Sequence, residues 1–222
     1  MKRYLPTLLS FNGGYVDTAG FLALHGLFTA HVTGNFVTVG ATFVFGTTGA
    51  VAKLLALPVF CVTVMLAGTM SYRLSVARAP VLRIMLGIQL LLLALGAVLA
   101  IRLDPLTDGD NWMAVVTGLV LVAAMSIQNG LHRLHLSDAP PSTLMTGTVT
   151  QIMLQLADRF RRVQPAAVGG PSPLVRMAAS VASFAVGCGV AAGMYRLAGN
   201  CSFAVPPVLI TVGLFLAGKE QG

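Results

Sequence analysis

Long apolar runs separated by short polar connections set the pattern of this chain. Uncharged stretches cover residues 54–72, 84–101, 111–132, 177–195 and 197–218. Each approaches or exceeds the roughly 18 to 20 residues that carry an α-helix across about 30 Å of hydrocarbon. Strands of a membrane barrel would be about half as long and would alternate polar with apolar positions, which these runs do not. About eight helical segments follow from the pattern. One stretch departs from it. Residues 13–40, GGYVDTAGFLALHGLFTAHVTGNFVTVG, are too long, too polar and too rich in glycine for one ordinary span. They hold Asp17, the sole acidic residue of the first hundred positions, with His25, His31 and the polar step Thr33-Gly34-Asn35. The stretch reads as a broken span, a helix that stops and restarts.

A second copy lies half a chain later. Residues 130–135 (GLHRLH) align without a gap with 20–25 (GFLALH), and after an insertion of three residues 145–148 (MTGT) align with 32–35 (VTGN). The chain therefore divides into two related halves, 1–105 and 106–222, within one integrated transmembrane domain. Thr33-Gly34-Asn35 and Thr146-Gly147-Thr148 both open apolar helices. The second follows Pro140-Pro141-Ser142-Thr143, which ends one helix and lets the next begin.

Composition and charge sharpen this reading. A chain of 222 residues that is 56% hydrophobic and 9% charged, with mean hydropathy +0.83, lies outside ordinary soluble domains and takes the lipid bilayer as its partner. The formal net charge is +7, but the basic residues stand singly at the ends of apolar runs and build no stripe with aromatics between them. That excludes a nucleic-acid surface and fits the positive-inside rule. If residues 4–52 and 111–158 each make one net crossing, ten of the fourteen basic residues lie inside, Lys53, Arg102 and Arg196 lie outside, and Arg133 falls in the broken segment. The acidic loop with Asp104, Asp108 and Asp110 is then outside as well. Eight full crossings would strand Arg73, Arg78 and Arg83 on the outer side, a poorer division. Six net crossings, three per half, make the halves inverted relative to each other. The expected fold is an all-α polytopic membrane bundle of two inverted repeats, the first element of each broken.

Other features change less. The N-terminal MKRYLPTLLSFNGGYVD has neither a clean apolar run nor a small-residue cleavage pattern, so it is expected to remain in the mature protein. Cys61, Cys188 and Cys201 show no metal spacing and read as small packing residues. Gly189 and Gly193, with Ser180 and Ser183 on the preceding turns, read as a close helix contact within the fold or between protomers of a homo-oligomer.

Several separate motifs carry a family resemblance. NGGYVDTAGFLAL with HVTGNFV, then MSIQNGLHRL and STLMTGTVTQ, resemble the YoaK-like family of bacterial integral membrane proteins over nearly the full length. The resemblance implies a multi-spanning protein of the bacterial inner membrane and supplies no activity or substrate.

A helix that breaks in hydrocarbon exposes backbone N–H and C=O groups, tolerable only where they are buried in protein or line a wet cavity. Such breaks are recurrent substrate sites of secondary transporters. Asp17 is the leading candidate, because a carboxylate at membrane depth is kept for a cavity, a partner or a proton step; the alternative is an interfacial residue pairing with a helix N-terminus or a basic side chain. His25 and its repeat partner His135 can form a pH-sensitive pair across the pseudo-two-fold axis, or sit at helix ends. His132, His135 and Gln128 share a helical face, but no carboxylate or cysteine accompanies them and no metal is assigned. Thr33, Asn35, Thr146, Thr148 and Gln151 on the restarted helices, and the adjacent amides Gln128 and Asn129, can hold a small polar ligand or bond between helices. Arg133 can offset Asp17, receive an anion or snorkel to the interface. Enzyme signatures such as HExxH and GxSxG are absent, and neither enzymatic activity nor a cofactor is expected. The expected function is transport of a small polar or ionic solute. The alternatives are a channel-like pore in a homo-oligomer and a non-catalytic membrane scaffold or accessory subunit.

Overall fold

The broken span and its second copy are the places where the helices stop. The computed structural model describes residues 4–102, 108–160 and 173–218, and within them the chain forms helices and no strands. In order these are α1 (Tyr4–Ala23), α2 (Asn35–Phe45), α3 (Ala50–Val76), α4 (Val81–Arg102), α5 (Trp112–His135), α6 (Met145–Phe160), α7 (Pro173–Ala198) and α8 (Val205–Gly218). Short 3-10 turns at Val32–Gly34 and Gly199–Ala204 lead into α2 and α8. Helices α3, α4 and α5, and the continuous stretch Pro173–Gly218, are long and apolar enough to cross a membrane. α1 has the length at 20 residues, but Ser10, Asn12, Asp17 and its glycines dilute its hydropathy.

Local chemistry explains each break. α1 ends with His25 and Gly26 in the left-handed region, φ 52° and 84°, and the Gly26 N–H closes back on the Phe21 carbonyl at 2.9 Å, a Schellman-type stop. Arg78 at φ 53° does the same after α3, where the Ala79 N–H bonds the Leu74 carbonyl at 2.9 Å and Pro80 follows. α5 ends at His135, and Pro140 and Pro141, which lack N–H groups, stand among the turns and bends that separate it from α6.

Two pairs of helices make the centre, α1 against α7 and α3 against α5, with α4 packed on α5 and α8. The short helices are peripheral, α2 on α3 and α6 on α7. Contacts across the bundle identify its two ends. At one, the Arg83 guanidinium of α4 donates to the Gly218 carbonyl of α8 at 2.6 Å, and Ser71 of α3 meets His135 of α5 at 2.8 Å. At the other, His25, Gly49 and Gly109 converge. Arg73, Arg78, Arg83 and Arg176 mark the first as the basic end, and Asp108 and Asp110 mark the second as the acidic end.

The α1–α7 crossing brings two helix backbones into contact. A methyl group at Gly14 would overlap the Phe184 carbonyl, and one at Gly187 would overlap the Phe11 carbonyl, so only glycine lets the two backbones approach this far. Gly189 and Gly193, by contrast, have open space where a side chain would stand. Close packing within the fold therefore uses Gly187 and not the Gly189/Gly193 pair. Cys61 and Cys201 are exposed and Cys188 is half-buried, so the first two are surface residues and not interior packers.

Candidate functional site

Asp17 lies in the last third of α1 and is 5% exposed. A lone carboxylate there would be costly, and the chain meets the cost by folding the broken segment back onto it. One carboxylate oxygen accepts the backbone N–H of Thr29 at 2.8 Å and of Ala30 at 2.7 Å, with longer approaches from the His31 N–H and the Thr29 hydroxyl, both 3.4 Å. The other oxygen meets His31 Nδ1 at 2.6 Å. Asp17 thus supplies from a neighbouring helix the acceptor that the restarted segment needs for its N-terminal amides. Asn35 closes the same turn. Its side chain accepts from the Phe28 N–H and donates to the Phe28 carbonyl, each at 2.8 Å, copying a backbone pair.

The second break docks beside the first. Ser142 and Thr143 are buried against α1, where a methyl on Gly13 would stand 2.8 Å from the Ser142 carbonyl. The Thr143 hydroxyl donates to Asn129 Oδ1 at 2.6 Å, and Gln128 Nε2 donates to the Ser142 hydroxyl at 3.1 Å and to the Leu9 carbonyl at 2.8 Å. Gln128 Oε1 accepts from Asn12 at 2.9 Å and from Gln89 at 2.8 Å. This fully buried amide hub ties α1, α4, α5 and the second break together. The two tips flank the same stretch of α1, Asp17 lying one turn on from the Gly13 that meets Ser142 and Thr143, and the His31 ring packs edge-on against Phe184 of α7 with centroids 5.5 Å apart. The His31 side chain is 33% exposed against 6% for Asp17. The carboxylate is saturated by its own chain, and the imidazole is the face the pair presents.

A cavity of about 900 Å³ opens at the basic end. Thr7, His135, Asp138, Arg176 and Ser180 are among its walls, and Ser10 bonded to Ser180 at 2.7 Å lies one turn farther along α1. A second space of about 400 Å³, with Arg133, Arg176 and Gln151 in its wall, shares Asp138, Ala139 and Pro140 with the first.

The sequence-derived candidates divide accordingly. Asp17, Asn35, Gln128 and Asn129 gather at the two tips. Thr148 is buried and turns its hydroxyl to the Leu144 carbonyl at 3.3 Å, while Thr33 and Thr146 are exposed at the starts of their segments. Arg133 and Gln151 line the smaller space and not the Asp17 pair. His25 and His135 do not approach one another. His25 stands at the acidic end beside Thr48 and His135 at the basic end beside Ser71. Among the described residues no group of three or more His, Cys, Asp or Glu could hold a metal. The partner that candidate selection missed is His31, fourteen residues after Asp17 and visible in the sequence only as a histidine just before a helix restart. Asn12 and Gln89 were missed too, and their signal is an amide inside an apolar helix.

No curated protein and no solved structure matches the chain. The family described as "Protein of unknown function (DUF1275)" matches residues 5–216, nearly its whole length and the region the motif resemblance spans, and the chain belongs to that family.

Proposed function

We propose that this protein is a small-solute transporter of two inverted halves, whose solute path runs from the basic-end cavity to the junction of the two broken segments. The observation that carries the reading is the placing of the two tips, Thr29–His31 on Asp17 and Ser142–Thr143 on Gln128 and Asn129, beside the same stretch of α1. Irregular backbone inside a bilayer is tolerable where it lines a site, and transporters place such breaks at the midplane.

The helix packing supports two repeated halves, and their opposite sense is supported by α1 ending at the acidic end at His25 where α5 ends at the basic end at His135. Exchange α1 with α5, α2 with α6, α3 with α7 and α4 with α8, and each principal contact maps onto another. α1 on α7 becomes α5 on α3, α2 on α3 becomes α6 on α7, α4 on α5 becomes α8 on α1, and α4 on α8 maps onto itself. With the basic end in the cytoplasm, this gives a multi-pass protein of the bacterial inner membrane. His31 replaces His25 as the histidine of the site. The partner chemistry is then a small polar or ionic solute reading the part-exposed His31 imidazole.

The test is uptake into proteoliposomes across a broad panel of small solutes, with Asp17→Asn as the control. Transport predicts at least one solute taken up faster by the wild type. Equal uptake by wild type and variant for every solute refutes the reading.

A further inference from the structure

At the acidic end a small set of contacts joins the first half to the second, with His25 braced against Thr48 inside the first half. The Thr48 hydroxyl accepts the Gly109 N–H at 3.1 Å and lies 3.4 Å from His25 Nδ1. Asp110 Oδ1 accepts the Val51 N–H at 3.2 Å and so caps the first turn of α3 from across the bundle. Gly109 is wedged into this seam. A methyl there would stand 2.9 Å from the Gly49 backbone and 2.9 Å from the His25 ring, so no side chain fits while the seam is closed. The first-half chain is bent into unusual conformations at the same place, with His25 at φ 52°, Gly26 at φ 84° and Gly49 at φ 90°. A non-glycine residue held at positive φ is a local strain, of a kind that concentrates at switching and binding elements. Beneath the seam, Leu24, Leu27, Ala52 and Lys53 are all buried, and Lys53 donates to the Thr42 hydroxyl at 3.0 Å. At the other end, the cavity of about 900 Å³ stands open.

We infer that the seam of His25, Thr48 and Gly49 against Gly109 and Asp110 is the outer gate of an alternating-access cycle, and that the molecule is seen open at the basic end and shut at the acidic end. The inference deepens the transporter reading and rests on it. Its physical basis is the kind of bond involved. Two backbone N–H donors held by exposed or half-exposed side chains, with glycine backbones in contact, can part and be met by water at little cost, whereas the buried Gln128 hub cannot. Hinged closure of this type uses a few loop residues at element ends.

Cysteine accessibility tests the gate without knowledge of the solute. In a background with Cys61, Cys188 and Cys201 replaced by serine, Ala52→Cys reports on the space beneath the seam and Ala179→Cys on the open cavity. A membrane-impermeant charged methanethiosulfonate is applied to right-side-out spheroplasts and to inside-out vesicles. Ala179→Cys should react from the basic side alone. Ala52→Cys should react slowly from the acidic side, and adding Thr48→Val with Asp110→Ala should speed that reaction by about tenfold, as expected when the bonds holding the closed state are removed. Thr48→Val alone, which removes one hydroxyl, serves if the double substitution impairs folding. An unchanged Ala52→Cys rate in the gate variants overturns the inference, as does Ala179→Cys reacting equally from both sides, the mark of a continuous pore. A protein that passes this test and takes up no solute fails the transporter reading and not the gate, so the two failures are distinguishable.

Discussion

Removing the Asp17 carboxylate should release the first tip, and the geometry sets the size of the effect. The carboxylate holds three short bonds, to the Thr29 N–H at 2.8 Å, the Ala30 N–H at 2.7 Å and His31 Nδ1 at 2.6 Å, in a site where Asp17 is 5% exposed. Hydrogen bonds to a charged group contribute about 1.5 to 3 kcal/mol and neutral ones about 0.5 to 1.5. Asp17→Asn keeps one acceptor oxygen and removes the charge, a loss of about 1 kcal/mol per bond and so roughly 3 kcal/mol in all. Asp17→Ala leaves two buried N–H donors without an acceptor as well, which raises the loss to about 5 kcal/mol. For a chain of this size each kcal/mol shifts the melting temperature by about 2 to 4 °C. Thermal unfolding in detergent should therefore fall by roughly 6 to 12 °C for Asp17→Asn and further for Asp17→Ala. Hydrogen exchange followed by mass spectrometry should show the amides of Thr29 and Ala30 losing protection in both variants. An Asp17→Ala protein that melts within about 2 °C of wild type, with those amides still protected, refutes the role of Asp17 as the clamp of the broken segment.

Gly14→Leu and Gly187→Leu should each abolish monodisperse elution, because the new side chain meets a backbone carbonyl that cannot move aside. Gly189→Leu and Gly193→Leu, which point into open space, should leave the melting temperature within about 2 °C of wild type. Gln128→Leu should cost on the order of 3 to 5 kcal/mol by thermal unfolding, since Asn12, Gln89 and Ser142 lose their shared buried partner. A melting temperature equal to wild type contradicts the hub.

The helices and their breaks were legible because lipid imposes simple rules, an apolar run of sufficient length and a backbone that cannot be left unpaired. Asp17 was legible for the same reason, as a charge where charge is costly. His25 was misplaced as the partner of His135 because internal repetition was read as proximity. Under inverted halves, equivalent positions lie close only near the bilayer midplane, and His25 and His135 sit at helix ends. His31 carries no repeat partner, its aligned position being Leu144, so the repeat gave no reason to single it out. Gly189 and Gly193 fit a spacing that specifies a smooth helix face without saying what meets it. The actual contact sets Gly187 against the Phe11 backbone and Gly14 against the Phe184 backbone, across two helices whose crossing point no spacing within one helix records.

The two tips are held by different chemistry. Aligned without a gap, Asp17 corresponds to Ile127, and the second tip is held instead by the neutral amides that follow, Gln128 and Asn129. Neutral interhelical hydrogen bonds in membranes average about 0.6 kcal/mol, below the charge-assisted bonds at Asp17. The first tip is therefore held by a few charge-assisted bonds, and the second by a buried network in which Gln128 shares several neutral ones. The approach to the second tip also opens to the cavity, with Ala139 and Pro140 in the wall of both spaces and Pro141 in that of the smaller one. Under the transporter reading, a solute in the cavity would first meet the second tip at Ala139 and Pro140, while the Asp17–His31 pair and the Gln128 network hold the junction behind it.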